Sequence, residues 1–138
     1  MPYKKILIAL ECTDEEETVI HEAIRLVRAF NAELSVLHVN DPAAGKAHLM
    51  MGGLPLVREE DLREQFRKAG YDKEASELKV AIVESESYAN EIAKATENID
   101  LLIMGHTPKN LFLAALVDSV DERVADRISC PVLVVPKK

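Results

Sequence analysis

The residues of this chain whose types could support chemistry fall into two groups. Glu11, Cys12 and Thr13 follow an apolar run from Ile6 to Leu10, and Gly105, His106 and Lys109 follow another from Leu101 to Met104. A thiol beside a histidine is the start of a nucleophilic pair, and thiol, imidazole and carboxylate together make part of a metal site. Neither set is complete, because no third ligand and no group to orient the histidine accompanies them. The weightier reading is a buried thiol and a loop histidine, and neither a catalytic residue nor a metal site is assigned. Ser119 opens Ser119-Val120-Asp121-Glu122, which reads as a capping box at a helix start before it reads as a phosphate contact. Lys109, after a proline, reads as a solvated charge. His21 and His38 fall inside predicted elements, away from both loops, and read as structural.

The elements that position these residues alternate strictly. The runs Ile6 to Leu10, Leu34 to Val39, Leu78 to Val83, Leu101 to Met104 and Val132 to Val135 show no polar alternation, as strands covered on both faces require. Thr13-Asp14-Glu15-Glu16 reads as a capping box that starts a helix, with Ile20, Ala23, Ile24, Val27 and Phe30 on its inner face and Asn31 as a left-handed stop. A short helix over 58–68 turns Leu62 and Phe66 inward and is closed by Gly70. A third helix, over 87–98, turns Ala89, Ile92, Ala93 and Thr96 or Ile99 inward. A fourth starts at Ser119 with Val120, Val124 and Ile128 on one face. Five strands and four helices in this order predict one doubly wound parallel sheet, whose ligands bind at the switch point beyond the carboxyl ends of the strands. The loops after the first and fourth strands are therefore the places to look. Residues 40–55, with two prolines and three glycines, read as a surface loop.

Composition narrows the function. At 138 residues the chain fits one domain, 1–138. Seventeen basic against twenty-four acidic residues, a net charge of −7, argue against nucleic acid or an anionic membrane as partner. The apolar stretch after Lys5 is too short for a signal peptide or a membrane span, so the protein is read as cytoplasmic. Cys12 and Cys130 would lie at opposite edges of the sheet, roughly 15–20 Å apart, which disfavours a disulfide. No GxGxxG follows the first strand and no nucleophile elbow appears, against dehydrogenase and hydrolase chemistry. A phosphoacceptor receiver is disfavoured by the lack of an aspartate ending the third strand and of a helix after the fifth.

The segments 100–106, 118–124 and 129–136 resemble, in order and spacing, the signature of universal stress proteins, and Lys5 to Thr13 resembles the family's opening strand and turn. The resemblance implies an adenine-nucleotide alpha-hydrolase-like α/β fold with strand order 3-2-1-4-5. In nucleotide-binding members a loop of Gly, two residues, Gly, nine residues, Gly, then Ser or Thr cradles the phosphates. Carried over, its first Gly is Gly105 and its hydroxyl Ser119, but its second Gly is Pro108 and its third Asp118. Proline donates no amide, and a carboxylate about 4 Å from phosphate oxygens costs on the order of 1–4 kcal/mol, up to about a thousandfold in affinity. Glu11-Cys12-Thr13 likewise replaces the family's Asp-Gly-Ser turn. The departures are similar to those of the founding class, which implies a non-enzymatic homodimer without tight ATP binding, hence no cofactor and an unidentified protein partner. The alternative is a sensor of ATP or AMP. Its nucleotide would be lined by Ala9, Leu10, Glu11, Val39, Met104, Gly105, Pro108, Ser119 and Val120, with adenine near Ala9, Leu10 and Val39. The last strand, Val132-Leu133-Val134-Val135, carries no charge or proline and lies at a sheet edge, so a twofold partner can pair along it. The apolar run from Leu111 to Val117 reads equally as a partner surface or as a helical turn over the sheet.

Overall fold

The computed structural model describes residues 3–42, 44, 56–106 and 128–137. In chain order they form β1 (Lys5–Ala9), α1 (Glu17–Phe30), β2 (Glu33–Asn40), α2 (Glu59–Lys68), α3 (Asp72–Glu77), β3 (Lys79–Glu84), α4 (Tyr88–Ala95), β4 (Leu101–His106) and β5 (Val132–Pro136). The sheet is parallel throughout, in the order β3-β2-β1-β4-β5. Ile6 lies opposite Leu34 on one side and Leu101 on the other, so the most apolar strand occupies the centre.

The unalternating strands are explained by what covers them. Ile6, Ile8, Val36 and Ile103 face Val19, Ile20, Ala23 and Ile24 of α1 and Leu62 and Phe66 of α2. Leu7, Ala9, Leu37, Val39, Leu102 and Met104 face the opposite way, toward Ile92 of α4. Each full burial of a Leu, Ile or Phe side chain contributes about 1.5–3 kcal/mol, so the two layers dominate the stability of the sheet. Asn31 takes the left-handed conformation, φ 53°, that ends α1, and Gly70, at φ 95°, turns the chain after α2. Ala89, Ile92, Ala93 and Thr96 are buried as the spacing predicts.

Three local expectations are corrected. Helix α1 begins at Glu17 rather than Asp14, because the Glu16 carboxylate turns back into the preceding loop. Phe30 is 38% exposed, lying past the sheet and meeting Tyr3 edge to face. Helix α3 was not predicted: its six residues bury one small apolar side chain, Ala75, and so show no period. The helix expected from Ser119, the apolar run from Leu111 to Val117 and most of the loop 40–55 lie outside the described residues. Among the described residues no helix is long and apolar enough to cross a membrane.

Candidate functional site

The switch point lies between β1 and β4, where Ala9 pairs with Met104. Ala9, Val39 and Met104 are buried on the α4 side of the sheet, and Leu10 is buried on the α1 side. One polar group at this edge is Glu11, half-buried in the turn that follows Leu10. Pro108, Ser119 and Val120 lie outside the described residues, as does Asp118.

The turn is built around two side chains whose roles the sequence does not announce. Glu16, 1% exposed, accepts the backbone N–H of Glu11 on Oε2 at 2.8 Å and that of Thr13 on Oε1 at 2.9 Å. The second bond is the carboxylate half of the predicted capping box; no side-chain cap comes back from Thr13 to the helix start. Gln65 of α2 adds its amide, 3.2 Å from Glu16 Oε1, and also donates to the Thr13 carbonyl at 2.9 Å. Lys137, one residue past β5, sends its ammonium back under the turn, 3.3 Å from Glu11 Oε2 and 3.6 Å from Glu16 Oε2. Its side chain is 3% exposed.

Gly105 is what lets Lys137 in. A Cβ built at 105 would stand 2.6 Å from Lys137 Cε and 2.9 Å from Val19 Cγ2, closer than van der Waals contact allows. The Lys137 amide also donates to the His106 carbonyl at 3.1 Å, and the Thr18 hydroxyl to the Pro136 carbonyl at 2.9 Å. A glycine in a buried strand signals that another group comes close; here that group is Lys137.

Cys12 sits inside the turn at φ 64°, a left-handed conformation uncommon for residues other than glycine. Burial first, then the charges of Glu16, Asp61 and Asp14, push its thiol up to about 11. It is thus a poor thiolate source at neutral pH. It lines a cleft of about 540 Å³ between the start of α1 and α2, together with Thr13, Glu17, Asp61, Gln65 and Lys68. Among the described residues no group of three His, Cys, Asp or Glu side chains is placed to hold a metal ion. Both cysteines are free thiols.

Two further histidines among the described residues divide. His21, on α1, meets the Tyr71 hydroxyl at 2.5 Å and Glu17 at 3.2 Å, joining α1 to the start of α3. His38 does reach the switch-point edge, contrary to its predicted place: its Nδ1 lies 2.7 Å from the Leu10 carbonyl oxygen and its Nε2 3.1 Å from Asn40 Oδ1. Asn40 in turn pairs both ways with the Val57 backbone, at 2.9 and 3.2 Å. The end of β2 is thereby stitched to the entry of α2.

A parallel 3-2-1-4-5 sheet whose switch point carries a tight polar turn defines a doubly wound α/β domain of the nucleotide-binding type. Residues 2–136 match the model of the Universal stress protein family. The chain is 34% identical over 145 residues to universal stress protein MJ0531 of Methanocaldococcus jannaschii, spanning 98% of this chain and 83% of that one. This chain therefore belongs to the universal stress protein family. Its fold is similar to that of a universal stress protein crystallised in complex with cAMP, with TM-score 0.64 and 21% identity over 100% of both chains. It is also similar to universal stress protein UspA from Lactobacillus plantarum, with TM-score 0.62 and 22% identity over 98% and 99% of the two chains.

Proposed function

We propose that the chain is a non-enzymatic stress-response protein of the cytoplasm that acts as a homodimer through protein contacts and does not bind ATP tightly. The observation that carries this reading is Lys137: its stem fills the space that Gly105 leaves, and its ammonium is committed to Glu11 and Glu16. At the first glycine of the family's phosphate loop, the room is thus used from within. The three side chains together bear two negative charges against one positive, which disfavours an approaching triphosphate. Pro108 and Asp118, by residue chemistry alone, argue the same way.

The dimer rests on β5. Val132 and Val134 are 39% and 38% exposed on an edge strand without a charged residue, whereas the opposite edge, β3, begins with Lys79 and ends with Glu84. Edges that are not meant to pair carry charge. A second reading, a nucleotide-dependent sensor, is favoured by the relative crystallised with cAMP. Calorimetry with ATP, AMP and cAMP, beside native mass spectrometry of the gently purified protein, tests both. No heat with ATP and a dimeric mass are expected. Micromolar or tighter ATP affinity overturns the first reading in favour of the second, and a monomer at micromolar concentration overturns the dimer.

A further inference from the structure

Three hydrogen-bond donors and one ammonium, from three parts of the chain, converge on one buried carboxylate. Glu16 receives the amides of Glu11 and Thr13, the side-chain amide of Gln65 at 3.2 Å and the ammonium of Lys137 at 3.6 Å. None of these groups belongs to the first turn of α1, and only the Thr13 amide is a capping-box partner, so the rest of the arrangement goes beyond the ordinary attraction of a helix start for an acid. The two backbone amides converge because the residue between them, Cys12, is left-handed, and alternating hands make successive amides point into one concavity, the geometry of an anion nest. Lys137 brings a full positive charge to it, on a side chain only 3% exposed. The strain at Cys12, the buried lysine and the glycine that admits it serve one purpose: they surround a negative group.

We infer that the turn after β1 is an oxyanion-binding site kept filled by the chain's own Glu16. This rests on the proposed lack of tight ATP binding and gives it a second cause, since the internal carboxylate excludes an external anion from the turn. The ligand class is a small oxyanion such as inorganic phosphate or sulfate, whose oxygens accept from diverging donors as the two carboxylate oxygens do. The Glu11 carboxylate, which shares Lys137, faces the same place and holds the affinity down.

The experiment is Glu16→Ala, titrated with inorganic phosphate against sodium chloride at matched ionic strength and followed by thermal melting and calorimetry. The expected result is binding at least about tenfold tighter than that of the unaltered chain. Addition of Glu11→Gln should tighten it further, and addition of Lys137→Met should abolish the gain. If Glu16→Ala does not fold alone, phosphate but not chloride should drive its folding, read by circular dichroism. The inference is overturned if phosphate acts on Glu16→Ala no more than chloride does, or if the gain survives Lys137→Met. ATP binding by the unaltered chain would instead sink the proposed function, so the two failures are told apart.

Discussion

Lys137→Met keeps most of the length of the side chain, and with it the packing over Gly105, while deleting the ammonium. What remains is a pair of carboxylates, one of them 1% exposed, with no cation between them. At 3.3 and 3.6 Å each attraction is worth about 5 kcal/mol at an effective dielectric of about 20, before the cost of bringing the charges out of water is subtracted. Removing one partner of a buried pair costs about 3–5 kcal/mol, and the quarter exposure of Glu11 places the expected loss near the lower end, about 3 kcal/mol. For a domain of this length that is a fall in Tm on the order of 10 °C. Urea unfolding followed by circular dichroism, with an unchanged slope, measures it. Glu16→Gln in the same background completes a double-mutant cycle whose coupling should exceed about 1.5 kcal/mol. A loss under about 1 kcal/mol, or two substitutions that simply add, refutes the account of a buried triad.

The remaining predictions concern the turn and the edge. Cys12→Gly should raise the urea midpoint, because glycine adopts φ 64° without the roughly 1 kcal/mol that a side chain costs there, and Cys12→Ala should not. Alkylation of Cys12 by iodoacetamide should be about a hundredfold slower at pH 7.5 than that of a thiol at the ordinary 9.0, since its own value is about 11, and should still be climbing tenfold per pH unit at pH 10. A rate that levels off by pH 9 contradicts the buried, acid-flanked placement. Val134→Lys, on the exposed edge of β5, should shift sedimentation from dimer to monomer without lowering the folding stability by more than about 1 kcal/mol.

Much of this architecture is legible because its signals are local. Apolar runs without alternation announce strands covered twice, and Asn31 and Gly70 mark turns by the conformations they tolerate. Leu62 and Phe66 reveal the inner face of α2 from only two positions, both 0% exposed. The candidate site is less legible because its signals are not local. Glu16 sits in a run of four acids, Asp14 to Glu17, and nothing in the run says which one turns inward. Lys137 is one of two adjacent lysines after Pro136, and nothing in that pair says that one turns inward. Only Gly105 hints at it, and a glycine there can equally serve a ligand. His38 lies within a strand whose neighbours in sequence are apolar, so its reach to the Leu10 carbonyl depends on the register between β1 and β2.

The bond between Lys137 and Glu11 spans 126 positions. Closure over such a distance must wait until β5 has docked, so the first turn of the chain is completed among the last events of folding. During synthesis, residues 11–16 emerge early and then stay unfinished, with four acids and a strained thiol awaiting a cation from far downstream.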